Sequence, residues 1–345
     1  MLMNRTTALW RVMLTAAMVC TLCGCPPVDP SGGGDGTPDL SSDGGMLPDM
    51  APTTTDMEEP APDARMVELL PGTDVSVATF NVQRLFDEQC DSGMCDAGDF
   101  EEVISRLSLN SKIERLQRAI QKIDADVVVL QEIEKESLLN ELLDGLGGAY
   151  PTAVFGETSF AGSLDVAIIS RGDYVTHKKH RNMSIMTQGG STERFAREFL
   201  ELHVDIEGKR VIVFGAHFIS KRSSNSAPRR WAEANAAGQI ASGVAMDNPD
   251  ALVVVAGDLN DTPESAPLQA MASYGLTLPS ASVDPNALYT HVFNGDRQIL
   301  DHVAYWPASH VQTHPDGLSV TRDDGKDGLG NSDHASPKQR FRLVD

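Results

Sequence analysis

The chain has 345 residues, of which 41% are hydrophobic, and it carries a formal net charge of -21 at pH 7. This composition is typical of a globular protein with a well-buried core, and the length allows one large domain or two small ones. The acidic balance excludes a broad basic surface that binds nucleic acid nonspecifically. An anionic substrate would therefore be bound locally or through a metal ion.

Residues 1–25 have the pattern of a secretory signal. Basic residues precede the apolar stretch 12–22, which is too short to cross a membrane as a helix of the mature protein. The stretch ends in Leu-Cys-Gly-Cys at 22–25, which resembles the bacterial lipoprotein box, whose final cysteine is lipidated after cleavage. The resemblance predicts an exported protein anchored to the cell envelope through lipid on Cys25 alone. The alternative is a plain signal peptide with incidental cysteines.

Residues 26–73 are predicted to form a disordered linker. Its first part, 26–64, is rich in Pro, Gly, Ser, Thr and Asp, and it holds nine acidic residues and no basic or aromatic residue. Repulsion between like charges keeps such a segment extended, and its low hydrophobicity cannot support a core. Residues 74–345 are the predicted folded domain.

Two apolar runs in the folded part end in carboxylates. Leu252–Asp261 opens with consecutive apolar residues, as in a strand buried on both faces, and then places Asp258 and Asn260 on one side. Asp126–Glu132 is a second such run that ends in Glu132. Each polar end taken alone would be an ordinary turn or surface group, but carboxylates from separate strands are typical ligands of hard divalent cations.

Helix starts are predicted from capping residues. Ser111 is expected to cap a helix that continues to Ile123, because apolar residues recur there at helical spacing. Asp261 or Thr262 is expected to cap another helix with Pro263 in its first turn. Helices that alternate with strands indicate a layered α/β fold.

The first predicted strand, Val75–Asn81, ends in Asn81, which taken alone is an ordinary turn former. Cys90 and Cys95 follow, with four residues between them. In an exported protein this spacing is typical of a disulfide that closes a small loop. A metal-thiolate pair is the weaker alternative, because no Cys/His partner spacing accompanies the two cysteines.

A further strand over Arg210–Ala216 ends in His217, and Lys221 follows four residues later. A lone histidine at a strand end is usually a packed or surface residue. A phosphate site, however, needs both a proton donor and a cation, and these two residues supply them.

The C-terminal part adds a strand over 298–306 that carries Asp301, followed by Gly-Asn-Ser-Asp-His at 330–334. Because neighbours in sequence rarely face each other, Asp301 rather than Asp333 is expected to orient His334. The Gly- and Asp-rich loop between these segments lacks the closing glutamate of an EF-hand, and we interpret it as an active-site loop.

Six short motifs end predicted strands or follow them. They are Phe80-Asn81-Val82, Gln131-Glu132, His217 with Ser220-Lys221, Gly257-Asp258-Leu259-Asn260, Leu300-Asp301-His302 and Ser332-Asp333-His334. In this order they resemble the endonuclease/exonuclease/phosphatase superfamily over 74–345, and Asn81–Asp87 with Tyr289–Gly295 is most similar to bacterial extracellular nucleases. The implied fold is a four-layer α/β sandwich of the deoxyribonuclease I type, with two mixed β-sheets face to face and helices outside.

The resemblance implies a metal site and a phosphate contact. Glu132 would hold Mg²⁺, or else Mn²⁺ or Ca²⁺, with Asn81 and Asp333 as further contacts, and Lys221 would pair with phosphate. The superfamily commonly has an acid two positions after the asparagine, where this chain has Gln83. We expect the neutral amide to weaken or displace the metal.

The resemblance also implies catalytic roles. Asp258 and Asn260 would orient or deprotonate the attacking water, and His217 would be the general acid for the leaving oxygen. His334, oriented by Asp301, would hold the phosphoryl oxygen or share the acid/base work.

The function implied by these residues is that of a monomeric, metal-dependent phosphodiesterase that acts on DNA or RNA. The alternatives with related chemistry are a phosphomonoesterase and a phospholipid phosphodiesterase of the sphingomyelinase kind. The latter would use an exposed aromatic hairpin, which the sequence does not indicate. A noncatalytic surface-binding protein with the same fold is the alternative from another class, and Gln83 is the one feature that favours it.

Overall fold

A computed structural model of the protein describes residues 69–222 and 226–345. The predicted signal, the lipidation site at Cys25 and nearly all of the predicted linker lie outside these residues. Within them, no helix is long and apolar enough to cross a membrane. The first strand begins at Gly72, two residues before the predicted start of the folded domain.

Fifteen strands and four α-helices make up the described fold. The strands are β1 (Gly72–Leu85), β2 (Val127–Ile133), β3 (Thr152–Gly156), β4 (Asp165–Ser170), β5 (Asp173–Lys179), β6 (Ile185–Met186), β7 (Thr192–Glu193), β8 (Leu200–Ile206), β9 (Lys209–His217), β10 (Leu252–Asp258), β11 (His291–Phe293), β12 (Asp296–Gln298), β13 (Asp301–Tyr305), β14 (Val311–Thr321) and β15 (Ser336–Val344). The helices are α1 (Arg106–Ile123), α2 (Glu136–Asp144), α3 (Ser226–Asp247) and α4 (Ala266–Ala272).

Two large mixed sheets form the centre of the fold. The first has six strands in the order β14-β15-β1-β2-β4-β3, and the second has five in the order β13-β10-β9-β8-β5. The predicted strands that end in acids are confirmed as β2 and β10. Each has a parallel neighbour, β1 beside β2 and β9 beside β10, so the carboxyl ends of each pair lie at one sheet edge.

The sheets pack face to face through branched aliphatic side chains such as Val129 and Ile168 from the first sheet and Val213 and Val254 from the second. Burying each such side chain contributes about 1.5–3 kcal/mol. Helices α1 and α2 cover the outer face of the first sheet, while α3 and α4 cover that of the second. The predicted four-layer α/β sandwich is confirmed.

Both predicted helix caps are wrong. The cap of α1 is Ser105, whose hydroxyl accepts a hydrogen bond from the Ser108 amide at 3.2 Å, and Ser111 lies inside the helix. The helix after β10 begins only at Ala266. Asp261 does not cap it, because its carboxylate is already paired with a basic residue of α3.

Candidate active site

Asn81 joins two carboxylates that come from different sheets. Its Nδ2 donates to Asp258 Oδ2 at 3.1 Å and to Glu132 Oε1 at 3.3 Å. Glu132 has a φ of 69°, so the strand end turns at this residue in a conformation that is uncommon for a side chain other than glycine. The three predicted residues therefore meet at the seam between the sheets.

The amide oxygen of Asn81 has a different partner, the backbone N–H of Gln83, at 2.9 Å. Gln83 and Arg84 both have positive φ, at 54° and 52°, which bends the backbone beside the site. In this orientation Asn81 positions the carboxylates by donation. Metal ligation by Asn81 would require its amide to turn.

His334 and Asp301 form the predicted pair, with Nδ1 and Oδ2 2.8 Å apart. Burial alone would lower the pKa of His334, but the carboxylates of Asp301 and Asp258 outweigh it and raise that pKa to about 10. The imidazole is therefore positively charged at neutral pH. Its Nε2 lies 4.0 Å from Asp258 Oδ2, facing the centre of the site.

Asp258 is almost completely buried, and burial followed by repulsion from Asp301 raises its pKa. In the described chain, Asp301 Oδ1 is also buried and has no hydrogen-bond partner. Two buried acids thus share one imidazolium, His334. The cluster lacks positive charge and has an unsatisfied oxygen, as expected of a site that receives a further cation or proton.

Ser332 ties the last of these residues to the first strand. Its hydroxyl donates to the backbone oxygen of Asn81 at 2.8 Å and accepts from the His334 amide at 3.0 Å. The segment that carries Asp333 and His334 is thereby fixed against the end of β1.

His217 lies on the other side of Asp258, with its Nε2 3.7 Å from Asp258 Oδ2. Burial, reinforced by the nearby positive charges of Arg197 and His334, lowers the pKa of His217 well below its usual value. The ring is therefore neutral in the free protein. A general acid role for His217 requires a proton that is gained together with the substrate phosphate.

Asn260 connects the ends of β9 and β10. Its amide Nδ2 donates to the Phe218 carbonyl at 3.0 Å, and its backbone N–H donates to Asp258 Oδ1 at 2.9 Å. The residue has a φ of 53°, so the chain turns sharply after Asp258. Asn260 thus orients the Asp258 carboxylate from the opposite side to Asn81.

Lys221, the predicted phosphate contact, is half-exposed and pairs with Asp261 at 2.8 Å. Arg230 of α3 holds the other oxygen of the same carboxylate at 2.8 Å. The pKa of Asp261, which burial alone would raise, is lowered by these two cations. Lys221 is thus supported by an acid that already has a second, buried basic partner.

Sequence reasoning assigned no role to His291 of β11. Its ring lies 4.8 Å from that of His334, centroid to centroid, and its Nε2 is 3.8 Å from Asp333 Oδ2. A short isolated bridge also pairs the two histidines through their backbones. The family-like stretch that begins at Tyr289 contained His291, but no spacing rule linked it to residues more than 40 positions later.

Lys112 was also missed. It extends from α1 to the carbonyl oxygens of Gln83 and Arg84, the latter at 3.1 Å. Burial lowers the pKa of Lys112 to about 8, against the opposing charge of Glu132. Lysine at a polar helix position is too common to signal such a contact from sequence.

Two further expectations concern features beside the site. The predicted disulfide between Cys90 and Cys95 is present. The expectation that no aromatic residue is exposed on a hairpin is wrong, because the β11–β12 hairpin carries Phe293, which is 58% exposed. The signal was present in the sequence, because Asn294 and Gly295 join the two strands and an Asn-Gly pair between short extended runs is typical of a hairpin turn.

The architecture and the acid-histidine cluster at a shared strand edge define a protein class, the α/β sandwich hydrolases of the deoxyribonuclease I type. The family model described as "Endonuclease/Exonuclease/phosphatase family" matches residues 76–288, more than half of the chain, and the protein belongs to this family. Enzymes of the family hydrolyse phosphoester bonds and typically use a divalent metal. The protein is therefore a metal-dependent phosphoesterase.

Solved structures support the same fold. Truncated TDP2 from Caenorhabditis elegans has 19% identity and a TM-score of 0.52, covering 78% of this chain and 97% of that one. An endonuclease/exonuclease/phosphatase from Beutenbergia cavernae has 19% identity and a TM-score of 0.53 over 79% and 72% of the two chains. TDP2 from D. rerio, complexed with a single-strand DNA product, has 17% identity and a TM-score of 0.53 over 78% and 99%. A search of curated proteins gave no match.

The side chains present fit a divalent cation. The cluster of Asp258, Asp301 and His334 has more acid than base and an unpartnered carboxylate oxygen, and Asn81 holds Glu132 at its edge. Carboxylate and amide oxygens are the ligands that Mg²⁺, Mn²⁺ and Ca²⁺ prefer. We expect Glu132 and Asp333 to hold the ion, joined by Asn81 once its amide has turned, and the ion would supply positive charge that neutralises phosphate oxygens.

Proposed function

We propose that the protein is an exported, lipid-anchored nuclease that hydrolyses phosphodiester bonds of DNA or RNA, with Mg²⁺ as the metal. The observation that supports phosphodiester hydrolysis best is the buried cluster of Asp258, Asp301 and His334, with one positive charge for two acids. A site built in this way stabilises incoming charge and accepts a proton.

The residues divide the work according to their charge. Asp258, whose pKa is raised by burial and by Asp301, is a base strong enough to take a proton from the attacking water. Asn260 and Asn81 hold its two oxygens in place. His334 is already protonated and donates a hydrogen bond from Nε2 to a phosphoryl oxygen.

The neutral His217 is the proposed general acid for the leaving oxygen. Its Nε2 faces Asp258, and in the described chain its buried Nδ1 has no partner. When a negatively charged phosphate enters, it favours the protonated ring, and His217 can then pass a proton to the leaving oxygen. Lys221, half-exposed at the rim, binds the phosphate before this step.

Exposed aromatic groups beside loops at the same sheet edge favour a nucleic acid substrate. Phe160 is 66% exposed with the Arg181 guanidinium 5.2 Å from its ring, and Phe100 is 51% exposed with Arg84 at 5.5 Å. Aromatic rings stack on bases, and arginines pair with phosphates, which is the usual combination in single-strand binding. The TDP2 structure from D. rerio is described with a single-strand DNA product, which is consistent with this proposal.

The test is hydrolysis of bis(4-nitrophenyl) phosphate by the full chain, with Mg²⁺ or with chelator, followed by single-stranded DNA, duplex DNA and RNA. We expect chelator-sensitive cleavage of the diester and of at least one nucleic acid. Asp258→Asn, purified in parallel, controls for contaminating nucleases. Activity equal in this variant, or unaffected by chelator, would contradict the proposal.

A second candidate, phospholipid phosphodiesterase, is favoured by one observation, the exposed Phe293 beside His291 and the site. Apolar side chains on such a hairpin insert into the interface of a bilayer. Sphingomyelin vesicles therefore belong in the substrate panel. Hydrolysis that depends on Phe293 and exceeds the rate on nucleic acid would establish this function instead.

The anchor is tested separately by detergent phase separation of the expressed chain. Cys25→Ala should move the protein from the detergent phase to the aqueous phase, with Cys23→Ala as the matched control. Unchanged partitioning of Cys25→Ala would reject lipidation at this residue.

A further inference from the structure

A second group of acids lies around the disulfide loop, apart from the residues of the active site. Asp91 follows Cys90, Glu101 lies between Cys95 and the start of α1, and Glu134 follows β2. One carboxylate oxygen from each acid lies within 4.8 Å of the others. Two loops, β1–α1 and β2–α2, therefore bring the three carboxylates to one point.

Charge around this group is poorly compensated. Glu101 is 2% exposed and Glu134 4% exposed, and Asp87, also buried, lies beside them. In the described part of the chain, the one basic side chain that pairs with these acids is Lys135, whose Nζ is 2.9 Å from Asp87 and 2.6 Å from Asp91. One ammonium faces four carboxylates, and burying such an excess of charge is costly.

One oxygen of the group has no partner. Glu134 Oε2 accepts from the Asp87 amide at 3.2 Å, whereas no group in 69–222 or 226–345 hydrogen-bonds to the buried Oε1. A cavity of about 330 Å³ opens beside it, lined by Asp91, Glu134 and Glu157 among others. An unpaired, buried carboxylate oxygen next to such a cavity is positioned to bind a cation.

The surroundings hold the group in place. Both oxygens of Glu101 accept backbone N–H groups of the disulfide loop, from Asp91 at 2.6 Å and Ser92 at 2.7 Å. From the other side Gly162 packs so closely that a Cβ there would lie 2.4 Å from Glu101 Oε2. Glu101 and Glu134 are thus buried and held by backbone N–H groups, while the exposed Asp91 is held by Lys135.

We propose that Asp91, Glu101 and Glu134 form a second divalent cation site that takes Ca²⁺. The donors are three carboxylates from two loops, β1–α1 and β2–α2. Several carboxylates at one point suit Ca²⁺ better than Mg²⁺, which is usually held by one or two carboxylates together with water. The ion pairs with the free oxygen of Glu134 and ties the disulfide loop to the end of β2. The site shares no residue with the active site, so it does not depend on the proposed nuclease activity.

Binding of radioactive calcium to the full chain in detergent, by equilibrium dialysis, counts the ions directly. The affinity expected for a partly exposed site with few acids is on the order of 0.1–1 mM. Asp91→Asn combined with Glu134→Gln should bind one Ca²⁺ per chain fewer than the wild type. Glu132→Gln should retain this ion, and Glu102→Gln, a neighbouring exposed acid, is the matched control.

Thermal unfolding gives a second readout that does not involve activity. Without Ca²⁺ the double variant should be at least as stable as the wild type, because repulsion between acids is relieved. With 10 mM Ca²⁺ the wild type should gain roughly 3–10 °C more than the variant. If the double variant does not fold, Glu134→Gln alone carries both measurements.

Two outcomes would overturn the site. Equal calcium counts for the wild type and the variant would show that these acids do not bind the ion. A wild type that ignores Ca²⁺ but becomes more stable as pH falls from 7 toward 5.5 would show that Glu101 and Glu134 share a proton instead.

Discussion

Within residues 69–222 and 226–345, two buried clusters of acid and histidine differ in how well their charges are matched. In the second sheet, Glu201 of β8 is completely buried. Its carboxylate oxygens lie 2.7 Å from His180 Nε2, 2.6 Å from His203 Nε2 and 3.0 Å from Lys178 Nζ. Burial alone would raise the pKa of Glu201, but these three donors outweigh it and hold the pKa well below its usual range.

In the active site, the acids outnumber their basic partners. There Asp258 and Asp301 share His334, and a carboxylate oxygen remains without a partner in the described chain. Because the carboxylate of Glu201 already has three hydrogen-bonding partners, it is not available to a ligand, and the Glu201 cluster stabilises the fold. An undersupplied pair of acids is costly to bury and is retained where it binds and reacts.

The largest effect is expected from a substitution in the active-site cluster, where two acids share one positive charge. Asp258→Asn should lower the rate on bis(4-nitrophenyl) phosphate about 100 to 10,000-fold, because the base is lost. The same change should leave the metal-free protein as stable as before or more stable, since one of two repelling acids is removed. Rates and thermal unfolding measured together test this, with substitution of the exposed Asp250 by Asn as control. A folded variant with a near-normal rate would remove Asp258 from the mechanism.

The opposite pattern is expected for the saturated cluster. Glu201→Gln should cost about 3 kcal/mol of unfolding free energy, because a buried carboxylate with three donors is broken, while the rate of the folded protein stays within about twofold. Urea denaturation and the diester assay measure the two quantities. A loss of activity without a loss of stability would contradict the comparison.

Lowering the pH should reduce the difference in stability between the wild type and Glu201→Gln. Because the pKa of Glu201 is lower in the folded protein than the unfolded value of about 4.3, its contribution to stability is complete above that pH. It is lost as pH falls toward the folded-state pKa. Melting temperatures from pH 7 to pH 3 should therefore show the wild type and Glu201→Gln converging only below about pH 4, and a constant difference across this range would refute the assignment.

The smallest effect concerns the metal. Glu132→Gln should raise the Mg²⁺ concentration for half-maximal activity about tenfold, since a hard cation loses a charged oxygen. Gln83→Glu should lower it if residue 83 faces the ion. Metal titrations of both variants at fixed substrate give the answer, and an unchanged requirement in Glu132→Gln would place the metal elsewhere.

The sequence was sufficient to predict the site residues that lie at the ends of strands with a clear local pattern. Unbroken apolar runs predicted β2 and β10, and the polar residues that end them, Glu132 and Asp258, lie together as expected. The pairing of Asp301 with His334 followed from the rule that sequence neighbours rarely face each other. These features depend on strand periodicity and on parallel edges.

What was missed depends on contacts between distant segments. Asp261 has the sequence signature of a helix cap, yet Arg230 of α3 neutralises it instead. Lys112 and His291 lie at the site only because α1 and the β11–β12 hairpin pack there. The unmatched charge around Glu134 likewise arises only when the β1–α1 and β2–α2 loops meet, and no spacing along the chain reveals it.

The position of β15 in the first sheet has a consequence for protein synthesis. This strand lies between β14 and β1, and the segment just before it supplies Ser332, which fixes the end of β1, as well as Asp333 and His334. A ribosome that has reached residue 330 has therefore made a chain with an open sheet and no imidazolium at its centre. The site becomes complete only once this segment has left the ribosome and folded against the end of β1.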